Sequence, residues 1–227
     1  MSFYPYTLLL IFPSTKIKMI VIVDYGMGNL KSVENSALFL GKKVKISSSP
    51  TIIKKAKKII FPGVGHFSQA VKELKKRKLF DLLRSKIGEG IPFLGICLGM
   101  QLLLEKSQEA PGVGGLGIIE GEVKKFIGKG LIIPHMGWNQ VDIKDKGERG
   151  KEEGEKLFRG IKGDSFFYFA HSYYCKPKKN KVVLAATTYG GKFASALHKD
   201  NVWAVQFHPE KSQKLGLKVF NNFLSIC

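Results

Sequence analysis

The sequence predicts an α/β fold: an open, mostly parallel sheet flanked by helices, with an antiparallel extension in the second half. Three observations carry that expectation. Between residues 19 and 107, short apolar runs alternate with helix-compatible segments, which implies parallel strands joined by right-handed crossovers. Runs such as "MIVIVD" are apolar throughout, the pattern of strands buried on both faces. After about residue 117 the pattern changes to successive strands at hairpin spacing.

The elements follow in order. "MIVIVD" (Met19–Asp24) is the first strand, and "YGMGNL" turns the chain. Asn29 is placed to N-cap a helix through "LKSVENSALFLG", whose Val33, Ala37, Leu38 and Leu40 form one stripe closed by Gly41. "KVKIS" and "KKIIFPG" are the second and third strands, the latter running into "PGVGHF". Helices are expected over Phe67–Leu74 and Leu79–Ile87, then a fourth strand, "IPFLGI", delivers Cys97. The segment "LGMQLLLEKS" is expected to be the helix that follows. In the second half, "GIIEGEVKKFI", "WNQVDIK", "DSFFYFAHSYYC", "KVVLAATTYG", "KFASALHKD" and "NVWAVQFHPE" are expected as strands, and Leu215–Leu224 as a last helix.

Residues 19–227 are expected to form one domain. Residues 1–18 are expected to be an extension outside the fold, since their apolar run (Leu8–Phe12) is too short to span a bilayer and lacks signal-peptide flanks. No membrane partner is expected. "KDKGERGKEEGEK" (Lys144–Lys156) reads as a polar surface loop.

Charge is lopsided: 37 Lys and Arg against 18 Asp and Glu, a net +19. Nucleic acid is one explanation. A lysine-coated solvated surface fits better, because "KKAKK" and "KELKKRK" accompany regular elements and no nucleic-acid motif does. Nucleic acid is therefore not an expected partner. Cys97, Cys175 and Cys227 are too few and too far apart for a disulfide framework or a zinc site, which suits a reducing, cytoplasmic setting. No metal or other cofactor is expected.

Three segments carry chemistry. In "GICLG", Cys97 sits between glycines where a strand hands over to a helix, the elbow that exposes a nucleophile. Taken alone, such a cysteine is more often structural. In "VQFHPE", His208 and Glu210 lie two apart, so that Glu210 can hold one imidazole nitrogen while the other faces a nucleophile. Paired with the elbow, this makes a Cys-His-Glu triad. "PGVGHF" lacks the continuation of a phosphate loop, so an oxyanion hole is preferred, with the peptide at Val64 joining the Leu98 N–H.

"GICLGMQ" together with "FHPE" resembles the class I (triad) glutamine amidotransferases. "DYGMGNLKSV", "PGVGHF", "PHMGWNQV" and "FAHSYYC" are similar to one branch of that family, and the likeness runs from Met19 onward. The resemblance implies that Cys97 attacks the carboxamide of glutamine, His208 moves the proton and Glu210 orients His208. It implies a glutamine pocket lined by Gly63, Gly65, Gln101, Glu109, His171, Ser172 and Tyr173. On chemistry alone, His171 is equally a strand-end histidine satisfied by the backbone. The resemblance further implies that ammonia passes to a (β/α)8-barrel cyclase in a heterodimer, with Trp138 and Tyr168 facing it. Their other reading is packing within a sheet. A different biosynthetic amidotransferase and a non-catalytic basic binding protein of the same fold are the rival readings.

Overall fold

The computed structural model describes residues 19–143 and 156–225. The stretch 1–18, all but the last residue of the polar loop at 144–156, and Cys227 lie outside the described residues. The first half runs β1 (Ile20–Val23), α1 (Leu30–Phe39), β2 (Val44–Ser47), α2 (Pro50–Lys54) and β3 (Lys58–Gly63). It continues through α3 (Phe67–Lys76), α4 (Phe80–Gly88), β4 (Phe93–Cys97) and α5 (Leu98–Gln101). The second half holds β5 (Leu104–Ser107), β6 (Ile119–Lys125), β7 (His135–Ile143), β8 (Asp164–His171) and β9 (Tyr173–Pro177). Then come β10 (Val183–Thr188), β11 (Lys192–Lys199), β12 (Val202–Val205) and α6 (Gln213–Ser225).

The central path of the sheet runs β2-β1-β3-β4-β12-β11-β10-β7-β8. Every pair from β2 to β12 is parallel and every pair beyond β12 is antiparallel. The two halves of the sequence therefore meet at β12, which inserts beside β4. That insertion brings the end of "VQFHPE" next to the elbow.

Alternation along β1 explains the layers. Val21 and Val23 face a core shared with α2, α3 and α4, whereas Ile20 and Ile22 face one shared with α1 and α6. Both faces are apolar, so the strand reads as a continuous run. The start of α1 is capped as expected, with Asn29 Oδ1 accepting from the Ser32 N–H at 3.3 Å. Past its end, Gly41 adopts φ +70° and donates to the Leu38 carbonyl. Among the described residues no helix is long and apolar enough to cross a membrane.

The helix expected over "LGMQLLLEKS" is shorter than the sequence suggests. Only Leu98–Gln101 is helical, and Leu104–Ser107 is strand β5, parallel to β6. The cause lies some ten residues downstream. The N–H groups of Leu116, Ile118 and Gly117 take the carbonyls of Leu102, Leu103 and Leu104, which a continuing helix would need for itself. Gly115 permits this approach, since a Cβ there would fall 2.2 Å from the Leu104 oxygen. Likewise "DSFFYFAHSYYC" is two strands, β8 and β9, broken at Ser172.

Candidate active site

The carboxyl ends of β3, β4 and β12 lie side by side, and each delivers one expected segment. β4 ends at Cys97, which takes φ 54° and ψ −110°, a left-handed conformation that a non-glycine residue adopts only under constraint. The constraint is close packing. A Cβ on Gly99 would lie 1.9 Å from the Phe61 oxygen, and one on Gly95 would lie 2.9 Å from the Gly99 oxygen. The elbow is thus wedged between β3 and its own following turn, and both glycines are sterically required. Because α5 spans a single turn, its dipole adds little at Cys97, and local N–H groups matter more.

β12 leads to Gln206 and then to His208, which is 3% exposed. His208 Nδ1 lies 2.8 Å from Glu210 Oε1, and both side chains are buried. The turn that carries them, Pro209–Lys211, is clamped by Ser212: its hydroxyl donates to the His208 carbonyl and accepts from the Tyr168 N–H. The His208 N–H in turn donates to the Tyr168 carbonyl at 2.9 Å. Burial works against a charged imidazole here, but the neighbouring Cys97 and Glu210 outweigh it and push the His208 pKa up to about 10. Cys97 is the larger of these two influences, although His208 Nε2 makes no hydrogen bond of ordinary geometry among the described residues. The arrangement sets a charged imidazole, backed by the Glu210 carboxylate, beside the Cys97 sulfur.

Two groups not expected from the sequence touch the Cys97 sulfur. Gln206 Nε2 is 3.6 Å from Cys97 Sγ, and the thiol is 3.8 Å from the Ala170 carbonyl of β8. No local motif announces either. Gln206 belongs to the "VQFHPE" segment, so its place one residue past the end of β12 was the available signal.

The glycine-rich turn follows β3, and Gly63 pairs in register with Cys97. A Cβ on Gly63 would sit 2.0 Å from the Tyr25 hydroxyl and 3.1 Å from Leu98 Cβ. That hydroxyl is wholly buried, with no hydrogen-bond partner among the described residues. Gly65 adopts φ +101° and Val64 is 44% exposed. The turn therefore stands against the elbow, beside Leu98.

The residues expected in the glutamine pocket divide into two groups. Gln101 and Tyr173 meet directly, with Gln101 Nε2 donating to the Tyr173 carbonyl at 3.0 Å. Glu109 accepts from the Phe67 N–H at 2.7 Å, which ties it to the start of α3 just past the glycine-rich turn. Burial and then the Glu109 charge push the Tyr173 phenol pKa upward. Ser172 lies at the break between β8 and β9, where its carbonyl accepts from the Phe126 N–H.

His171 belongs to a different environment. Its Nδ1 donates to the Tyr173 carbonyl at 2.7 Å, and its Nε2 lies 2.9 Å from His135 Nδ1. His135 Nε2 in turn faces Asn139 Nδ2 at 3.1 Å. Since a carbonyl only accepts, the tautomers along the chain are set: His135 donates to His171, and Asn139 donates to His135. Rings of Phe126, Phe169 and Phe193 pack around both histidines. Burial pushes the His171 and His135 pKa values down to about 3 and about 4. Both ring nitrogens of His171 are thus engaged within the protein, with Nδ1 tying the end of β8 to the start of β9.

Trp138 and Tyr168 are directly opposite one another in β7 and β8, with rings 6.3 Å apart, edge to face. Met136 and Phe166 lie on the same exposed face, and Lys211 Nζ sits 5.6 Å over the Tyr168 ring. The opposite face carries Val141, Phe167, Phe169 and His171, all buried. Packing between Trp138 and Tyr168 and exposure to a partner are therefore both available.

The chain belongs to the class I glutamine amidotransferase family, whose model matches residues 21–227. It is 43% identical over 212 residues to the imidazole glycerol phosphate synthase subunit HisH 1 of Methanococcus maripaludis, covering 92% of this chain and 100% of that protein. It is 45% identical over 204 residues to the corresponding HisH subunit of Moorella thermoacetica, covering 90% of this chain and 93% of that one. Among solved structures, one titled a glutamine amidotransferase has the same fold at a TM-score of 0.69. Its identity is 20%, and the match covers 90% of this chain and 96% of that one.

Proposed function

We propose that this chain is the glutaminase subunit of an imidazole glycerol phosphate synthase, acting in the cytoplasm within residues 19–227. It hydrolyses glutamine and hands the ammonia to a (β/α)8-barrel cyclase bound as a heterodimer. The observation that carries the reading is the Cys97 elbow facing His208, whose other ring nitrogen is held by Glu210 at 2.8 Å.

In the reaction, Cys97 sulfur attacks the carboxamide carbon of glutamine while His208 keeps the thiol proton. The oxyanion is held by the Leu98 N–H and, once the turn is in place, the Val64 N–H. The C–N bond breaks as His208 gives its proton to the departing amine, which leaves as ammonia. Water, activated by His208, then attacks the thioester and releases glutamate, and the thiol is restored. The exposed face with Trp138 and Tyr168 is where the cyclase docks. β8 joins that face to the site, since its Tyr168 carbonyl holds the His208 turn and its Ala170 carbonyl meets the thiol.

Ammonia made without an acceptor wastes glutamine. In this reading the turn between Gly63 and Gly65 prevents this by holding the Val64 peptide out of position until the cyclase and its ligand are bound. The test is glutamate release by the subunit alone, with a cyclase, and with cyclase plus its ligand. Rates should rise in that order. No release under any of the three conditions contradicts the glutaminase reading, and equal rates contradict the gating.

A further inference from the structure

We propose that Gln206 is a catalytic residue: its side-chain N–H donates to the Cys97 sulfur and favours the thiolate, and Gln101 locks it in that orientation. The inference rests on the glutaminase reading above but concerns the thiol itself. Gln206 is wholly buried just past the end of β12, with its backbone N–H bonded to the Ser195 carbonyl at 2.9 Å. Its carboxamide lies between two groups, Cys97 Sγ at 3.6 Å on one side and Gln101 Nε2 at 3.2 Å on the other.

A carboxamide presents nitrogen to one side and oxygen to the other, and here the choice is forced. The Tyr173 carbonyl accepts only, so the Gln101 atom 3.0 Å from it must be nitrogen. That nitrogen has a second hydrogen, which faces Gln206 and requires an oxygen there. Gln206 nitrogen must then face the sulfur. One backbone carbonyl thus fixes the polarity of two side chains.

The sign of the effect follows. The Ala170 carbonyl 3.8 Å from the sulfur can accept from a thiol but repels a thiolate. A donated N–H does the reverse, stabilising the charged form. Reversing the Gln206 amide would put a second oxygen on the sulfur and weaken the nucleophile, so the lock by Gln101 has a chemical consequence. Gln101 consumes both of its own hydrogens in doing so, and only its oxygen remains to meet a ligand.

The test follows the alkylation rate of Cys97 by iodoacetamide against pH, with peptide mass spectrometry separating it from Cys175 and Cys227. In Gln206→Met, which keeps the volume and removes the donor, the midpoint should rise by about one pH unit. In Gln206→Glu, which puts an acceptor on the sulfur, it should rise further. Under cyclase-stimulated conditions kcat should fall ~10- to 100-fold with KM for glutamine nearly unchanged. Gln101→Met, which lies outside the sulfur's reach, should shift the midpoint in the same direction by less. Melting temperatures identify folded variants. Superimposable profiles for wild type and any folded Gln206 variant overturn the proposal, and an unmoved Gln101→Met profile overturns the lock. Alkylation needs no glutamine, so its outcome is separate from whether wild type releases glutamate.

Discussion

Two buried histidine sites in the same half of the molecule behave in opposite ways. His208 and His171 are 3% and 5% exposed, yet one is pushed up to about 10 and the other down to about 3. Burial opposes charge at both. At His208 it is overcome by the Glu210 carboxylate and the Cys97 sulfur; at His171 the partners are a carbonyl, a second imidazole and aromatic rings. The difference teaches that burial alone does not decide the charge of a histidine. The neighbours, rather than the depth, set the direction of each shift.

The comparison is broken most severely at the nucleophile. Cys97→Ala should abolish glutamine-dependent turnover, a loss above ~10⁴-fold, while added ammonia still supports product formation when the cyclase is present. Glutamate release by the variant would refute the assignment. The two histidines should then separate cleanly. His208→Asn should cost ~10²–10⁴ in kcat, the larger rate loss of the two, and should also lower the melting temperature because buried Glu210 loses its partner. His171→Asn should cost ~1–3 kcal/mol of stability through the unpaired His135 and Tyr173 groups, with a smaller loss of rate. The reverse pattern, measured by steady-state kinetics and thermal melts, would invert the account.

Next in size is the glycine-rich turn. Gly63→Ala places a methyl on the Tyr25 hydroxyl, so it should displace the turn and cost ~10²–10³ in stimulated rate, as for a lost oxyanion donor. Tyr25→Phe keeps the ring packed on Phe61 and removes a buried hydroxyl that has no partner among the described residues, so the melting temperature should hold or rise. A large fall in melting temperature for Tyr25→Phe would show the hydroxyl to be paired.

The smallest expected effect is on stability with pH, and its sign differs between the sites. His135 and His171 have folded pKa values below the unfolded 6.5, so the unfolded chain binds more protons between about 3 and 6.5. Their contribution is full above pH 6.5 and fades as the pH falls through that window. His208 is raised, so its contribution is full below 6.5 and fades as the pH rises towards about 10. Melts of wild type, His135→Gln and His208→Gln should show the acid-side slope reduced in the first variant and the alkaline-side slope reduced in the second. Unchanged slopes in both would contradict the assignment of charge.

Much of the architecture was legible because it is local. The apolar strand runs, the Asn29 cap, Gly41 and the glycine-framed Cys97 each announce themselves within a few residues. The strand β5 was misread because Leu102–Leu104 look the same in either state, and the N–H groups that decide between them come from Leu116–Ile118. Gln206 was missed because its orientation depends on Gln101, 105 positions away. The setting of His171 is not legible locally because His135, which meets its Nε2, lies 36 positions earlier. What the sequence withholds is polar pairing over long separations.

The central claim is that Cys97, activated by His208 and Glu210, attacks the carboxamide carbon of glutamine. It is tested most directly with a diazoketone analogue of glutamine, which alkylates a nucleophile only when seated in the glutamine pocket, followed by peptide mass spectrometry of the subunit bound to its cyclase. The account predicts one adduct per chain, on Cys97, suppressed by excess glutamine and formed far more slowly in His208→Asn. An adduct on Cys175 or Cys227, or equal labelling in the presence of glutamine, would contradict it.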